Sequence, residues 1–282
     1  MRGVFAAGVL DAFARRGFAP FDLAIGTSAG AAALASHLAG QVGRNWRCLS
    51  GLMRRGEFVH PWRGAWRALR RGHWMDLDWL FAACERLDPL DVRALACCGV
   101  EFLVAATSAD TGEPVYLAPG VGDASILLKA SSAVPLLHRG PVEVRGHRLV
   151  DGGVAAAIPI REAYRRGARR ILVVRSRVSG IATRSGVEHC VGALALRAYP
   201  ALARAIWRSP AQYRASLEFI ADPPSDCAVL EVAPPRPLAT GRTSRALAAL
   251  ERDYVLGLEC GDAAVQSWEA LGALAAAPAW VA

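Results

Sequence analysis

Residues 21–30 of the chain read Phe21-Asp22-Leu23-Ala24-Ile25-Gly26-Thr27-Ser28-Ala29-Gly30. The apolar start predicts a buried strand over residues 21–25, and the small residues that follow predict a helix over residues 29–38. Between them, Gly26 and Gly30 flank Ser28 in the spacing G-x-S-x-G, which is typical of a sharp strand-to-helix turn. Glycines allow such a turn to close, and the helix directs its positive end at the serine hydroxyl. The stretch therefore predicts that Ser28 is a nucleophile.

Strands and helices alternate along the rest of the chain. Helices are predicted over residues 4–16, 126–130, 159–166, 192–208 and 242–258, with a Trp- and Arg-rich helical region over 45–87. Strands are predicted over residues 100–106, 114–117, 171–174 and 228–232, with a hairpin-like pair over 141–150. This alternation indicates an α/β fold whose parallel or mixed sheet is covered on both faces. Without a repeat or a strong boundary, one domain over residues 1–282 is the simplest organisation.

Composition favours a folded protein of the cytoplasm. The chain has 282 residues, of which 53% are hydrophobic, so a large core is available. Seven cysteines, an odd number without a C-x-x-C pair, argue against a disulfide framework and against a zinc site. The short apolar run near the N-terminus is interrupted by Asp11, and no run reaches the length of a membrane span. We expect a cytoplasmic protein, and peripheral contact with a membrane stays open.

The chain is basic, and every one of its Lys and Arg residues except Lys129 is an arginine. Lys and Arg total 33 against 25 acidic residues, for a net charge of +8. Two interpretations remain: coding composition, or attraction to an anionic surface such as phospholipid headgroups. Trp62, Trp66 and Leu69 would share one helical face among arginines, which suits a headgroup layer or ordinary core packing. No nucleic-acid motif accompanies the charge, so we expect no nucleic-acid partner.

Two kinds of serine site are compatible with the motif. In an α/β-hydrolase the partners follow in the order Ser, acid, His, and Asp151 and His189 would fit that order. However, only 27 residues precede Ser28, which leaves no room for the preceding βα units. A histidine-free pair is favoured by Leu149-Val150-Asp151-Gly152-Gly153, which places a carboxylate after an apolar strand. Alone this is an ordinary hairpin turn, but with the serine motif it is a candidate partner.

At these residues the chain resembles the patatin-like phospholipase family. Arg2-Gly3 resembles the end of that family's glycine-rich loop, Gly26 to Gly30 its nucleophile motif, and Asp151-Gly152-Gly153 its D-G-A/G motif. Ala130-Ser131-Ser132-Ala133-Val134-Pro135 resembles the A-S-x-A-x-P loop near the family's active site. The resemblance covers about residues 2–175, and a C-terminal strand and helices occupy residues 176–282.

The resemblance implies a three-layer α/β/α fold with a mostly parallel central sheet. It also implies a Ser-Asp dyad in which Ser28 attacks the ester of a phospholipid or lysophospholipid and Asp151 accepts its proton. The N–H groups of Ala29 and Gly3 would then stabilise the oxyanion. The resemblance implies no metal or other cofactor.

The sequence departs from the family before Gly3. The family's loop carries two or three further glycines and follows a first strand, whereas this sequence begins Met1-Arg2-Gly3. We therefore expect Met1 to be an internal methionine of a longer reading frame. Two alternatives to the Ser-Asp hydrolase stay open: a catalytically impaired protein that binds lipid or a partner, and a triad esterase that uses His189.

Overall fold

The computed structural model describes residues 3–55, 76–135, 137–138, 140–178, 198–241 and 246–275. Its strands are β1 Leu23–Thr27, β2 Glu101–Ser108, β3 Pro114–Leu117, β4 Val142–Val144, β5 His147–Asp151, β6 Arg170–Val174 and β7 Ala228–Val232. Its helices are α1 Gly3–Arg15, α2 Ala29–Leu38, α3 Arg44–Arg55, α4 Leu77–Leu87, α5 Val92–Ala96, α6 Ala124–Ser131, α7 Ile160–Arg165, α8 Pro200–Ala221 and α9 Leu247–Ala275.

Helices pack against a central mixed sheet, so the predicted α/β fold is confirmed. This sheet contains β1 to β5: β1 pairs with β2 in parallel, whereas β3, β4 and β5 join antiparallel. Within the described ranges, β6 and β7 form a separate parallel pair. One apolar cluster joins α2, α4 and α6 to β2 and β5, and a second joins α1 and α9 to β7. α1 contributes Phe5, Val9 and Phe13 at a spacing of four residues, which places them on one face of the helix. α1 ends before Gly17, whose φ of 62° is a common helix stop.

β2 determines where two other strands end. Its residue Ala105 pairs with Thr27, the last residue of β1. The next residue, Ala106, pairs with Asp151, the last residue of β5, and β3 occupies the opposite edge of β2 at both positions. β1 and β5 therefore share one edge of β2 and run toward each other until their ends meet. The residues that follow the two strands are brought together by this register.

α1 crosses α9 at very short range. A Cβ on Gly257 would overlap the carbonyl oxygen of Phe5 and lie 3.1 Å from the Cα of Gly8. Next to the crossing, the Tyr254 hydroxyl donates to the Asp11 carboxylate at 2.7 Å, and both side chains are buried. Only glycine permits this approach of the two backbones, so the C-terminal helix fixes the position of α1.

Most predicted elements are present, although the bounds of several differ from the prediction. The first strand begins and ends two residues later than predicted, at Leu23 and Thr27. α8 continues through Pro210 to Ala221, where the prediction ended at 208, because Phe219 and Ile220 pack on the cluster around β6. α9 also extends well beyond residue 258. The helical face of Trp62, Trp66 and Leu69 lies outside the described residues.

Among the helices that the structure describes, none is long and apolar enough to cross a bilayer. Within the same ranges, no group of three or more His, Cys, Asp or Glu side chains is arranged to hold a metal ion.

Candidate active site

Ser28 lies at the turn between β1 and α2 in a backbone conformation that non-glycine residues rarely adopt. Its φ is 54° and its ψ is −126°. Gly26 must be glycine, because a Cβ there would overlap the Cα of Ala31 and lie 2.9 Å from its nitrogen. The same reason does not hold for Gly30, where a Cβ would meet no atom of the described residues within 4 Å, so our expectation that both glycines close the turn is wrong for Gly30. The strain at Ser28 is maintained by the surrounding structure.

Asp151 is directly bonded to the serine. The Ser28 hydroxyl donates to Asp151 Oδ2 at 2.8 Å, and the N–H of Gly153 donates to Asp151 Oδ1 at 2.6 Å. Asp151 as a whole is only 7% exposed. Gly152 lets this loop approach β2, because a Cβ there would overlap the carbonyl oxygen of Ala105. The two residues singled out from the sequence are thus brought together, with a geometry suited to direct proton transfer.

Threonine hydroxyls that the sequence did not single out hold the loop after Asp151. Thr107 donates to the carbonyl oxygen of Asp151 at 3.0 Å and accepts from the N–H of Ala155 at 3.2 Å. Thr27 donates to the carbonyl oxygen of Ala156 at 2.9 Å. No pattern could have identified these bonds, because Thr27 and Ala156 are 129 residues apart. They fix the backbone that presents the carboxylate.

The N-terminal ends of α1 and α2 meet beside Ser28. A Cβ on Gly3, the first residue of α1, would lie 2.6 Å from the Cβ of Ala29, the first residue of α2. The first N–H groups of a helix have no carbonyl one turn earlier to bond, and they carry the positive end of the helix dipole. Two such ends converge here, so the arrangement suits the binding of a developing negative charge.

A cavity of about 640 Å³ connects these groups. Ser28, Asp151, Gly3, Ala29 and Gly30 all line it. Near α4 and α6 most of its wall is apolar, formed by Leu80, Phe81, Leu128, Val134 and Leu137, with the polar Glu85 and Ser125 beside them. Successive residues of β1 and of β6 also line the cavity, and within the described ranges neither strand has a second neighbour. The cavity therefore extends along two open strand edges.

The triad alternative depends on His189, which lies outside the described residues. The described site requires no imidazole between the serine and its base, because Ser28 bonds the carboxylate directly.

Comparison with known proteins divides the chain into two matched regions. Residues 1–164 match the family model described as Patatin-like phospholipase, and residues 199–271 match a domain of unknown function, DUF6363. The chain is also similar to an uncharacterized protein of Escherichia coli strain K12, YjjU, with 34% identity over 267 residues. That similarity covers 92% of this chain and 73% of the relative.

Proposed function

The chain belongs to the patatin-like phospholipase family, and we propose that it is a serine acyl hydrolase that cleaves carboxylic esters of lipids. The observation that carries the proposal is the 2.8 Å hydrogen bond from the Ser28 hydroxyl to Asp151, made by a serine whose φ is 54°. A strained serine beside a buried carboxylate is the arrangement expected of an activated nucleophile.

The reaction proceeds through an acyl-enzyme. Ser28 Oγ attacks the ester carbonyl carbon while its proton passes to Asp151 Oδ2, and collapse of the tetrahedral intermediate transfers that proton to the leaving alcohol. Water then attacks the acyl-enzyme, giving a proton to Asp151, and the second collapse releases the carboxylic acid and restores the Ser28 hydroxyl. A carboxylate is a weak base at neutral pH, so stabilisation of the oxyanion must contribute much of the rate.

The N–H groups of Ala29 and Gly3 are the proposed oxyanion donors. Both residues begin helices whose positive ends converge beside Ser28, and both line the same cavity. One such donor typically contributes about a hundredfold to a thousandfold in rate.

The apolar walls of the cavity support a lipid substrate, either a phospholipid or a lysophospholipid. The side chains near α4 and α6 would contact an acyl chain whose ester lies at Ser28. Peripheral contact with an anionic membrane is proposed from the net charge of +8. The association of Lys and Arg with anionic headgroups would be weakened by salt.

We also propose a single domain over residues 1–282. The two regions matched by the family models share a core, because α9 crosses α1 through Gly257 and Val232 of β7 lies in one apolar cluster with Phe5 and Val9 of α1.

A fluorophosphonate probe tests the proposed chemistry. We expect labelling of the wild type and none of Ser28→Ala, since the probe reacts with an activated serine hydroxyl. Asp151→Asn should abolish turnover of a lysophospholipid, while His189→Ala should retain it. Loss of turnover in His189→Ala would instead favour the triad esterase. A folded wild type that is not labelled but binds phospholipid vesicles would refute the hydrolase and favour the silent lipid-binding alternative.

A further inference from the structure

Ser131, the last residue of α6, bonds both to Ser28 and to the loop that follows Asp151. Its Oγ accepts a hydrogen bond from the N–H of Ser28 at 2.8 Å and donates to the carbonyl oxygen of Ala105 at 2.6 Å. Its own carbonyl oxygen accepts from the N–H of Gly152 at 3.2 Å. The residue is 0% exposed, and it is not among the residues that line the cavity.

The Ser131 hydroxyl lies where β1 leaves the sheet. Thr27 and Ala105 form the last residue pair between β1 and β2. In a regular parallel ladder, the N–H of the next residue, Ser28, would donate to the carbonyl oxygen of Ala105. Instead, the N–H of Ser28 donates to the Ser131 hydroxyl, which in turn donates to Ala105. The side chain is thus inserted into the ladder as a spacer. It satisfies two backbone groups that Ser28, with its φ of 54°, would otherwise leave unbonded.

The segment around Ser131 also holds the acid. The N–H of Asp151 donates to the carbonyl oxygen of Ala133 at 3.0 Å, and the next amide, of Gly152, donates to that of Ser131. The backbone N–H groups of Asp151 and Gly152 are therefore both bonded to the segment at the end of α6. One short segment fixes the nucleophile through a hydroxyl and the acid through two carbonyl groups.

We propose that Ser131 is a positioning residue that sets the distance between Ser28 Oγ and Asp151 Oδ2. The inference rests on the proposed hydrolase function. Because Ser131 does not line the cavity, its hydroxyl should influence the chemical step and leave substrate binding unchanged.

Ser131→Thr and Ser131→Val provide a matched pair, since threonine and valine have nearly the same shape and only threonine keeps the hydroxyl. Both introduce the same additional methyl group into a fully buried position. We expect the kcat and the fluorophosphonate labelling rate of the valine variant to be at least about tenfold below those of the threonine variant. The KM should agree within about twofold between them. Equal kcat and labelling rates would overturn the inference.

A control and a second measurement separate this inference from the proposed function. Ser216→Ala is the control. It removes another buried hydroxyl, which belongs to α8 and donates to the carbonyl oxygen of Ile158, and it should leave kcat unchanged. If wild-type protein neither hydrolyses esters nor reacts with the probe, the proposed function fails. Hydrogen exchange of a peptide spanning residues 24–32 then decides: faster exchange in the valine than in the threonine variant supports the spacer, and equal exchange overturns it.

Discussion

The substitution Gly152→Ala should separate the acid from the nucleophile without removing either. A Cβ at this position would overlap the carbonyl oxygen of Ala105 and lie 2.7 Å from its carbonyl carbon. Carbon atoms in contact are about 3.5 Å apart or more, so the loop and β2 must separate by about 0.8 Å. Rotation of a side chain cannot relieve this overlap, because the two nearest atoms belong to the backbone of Ala105 in β2.

The displacement acts directly on the dyad. Asp151 precedes Gly152, and its 2.8 Å hydrogen bond from Ser28 would lengthen toward the limit of about 3.5 Å at which such a bond is lost. A displacement of this size at a reacting group costs about a hundredfold in kcat. The overpacking should also lower the free energy of unfolding by about 1–3 kcal/mol, or the melting temperature by about 2–10 °C.

Hydrolysis of a soluble p-nitrophenyl ester and thermal melting measure the two effects. Circular dichroism at the assay temperature establishes that the variant is folded. Gly122→Ala is the matched control, because a Cβ there meets no atom within 4 Å in the part of the chain that the structure describes, and it should leave both quantities unchanged. A folded Gly152→Ala protein with wild-type kcat would refute the argument that the close approach of this loop to β2 sets the geometry of the dyad.

Three further predictions concern the fold around the site. Gly30→Ala should leave the melting temperature unchanged or raised, since the position is open and alanine favours a helix; a marked decrease would contradict this. Gly257→Val should lower the melting temperature and the fluorophosphonate labelling rate together, because the side chain would collide with Phe5 of α1; a wild-type melting curve would count against the crossing. Burial lowers the pKa of His37 below its usual 6.5, against the opposing charge of Asp11, so the unfolded chain binds the proton more readily. Stability should therefore fall as the pH drops below 6.5, by at most about 1.4 kcal/mol per pH unit, and His37→Gln should reduce the difference in melting temperature between pH 7 and pH 5.5; an identical difference in both proteins would refute it.

Sequence patterns and the family resemblance together predicted that Ser28 and Asp151 lie in contact, because each residue follows an apolar strand and has a glycine within two residues. Gly26 and Gly152 both occupy positions where a Cβ would overlap backbone. The pairing register was not predictable, since nothing local to β1 or β5 indicates that they end at adjacent residues of β2. Ser131 lies in a segment that the resemblance placed near the site, but its bond to Ala105 joins residues 26 apart and carries no periodic signal.

Helix lengths were predicted less well than helix positions, for a physical reason. Pro210 removes one backbone hydrogen bond and normally marks the end of a helix. In α8 the apolar residues beyond it, Phe219 and Ile220, pack on the cluster around β6, and this burial outweighs the local cost. Tertiary contacts that oppose a local signal cannot be read from the segment that carries the signal.

The C-terminal region bears on the proposed chemistry although it does not supply Ser28 or Asp151. Gly3 can serve as an oxyanion donor only if α1 holds its position along its own axis, because its distance from Ala29 is set by that position. α9 fixes the axis through the glycine crossing at Gly257 and the buried bond from Tyr254 to Asp11. The region matched by the domain of unknown function therefore holds α1, and with it Gly3, in place beside the proposed oxyanion site. Substitutions that disrupt the crossing of α1 and α9 should reduce the reactivity of Ser28 although they lie outside the site.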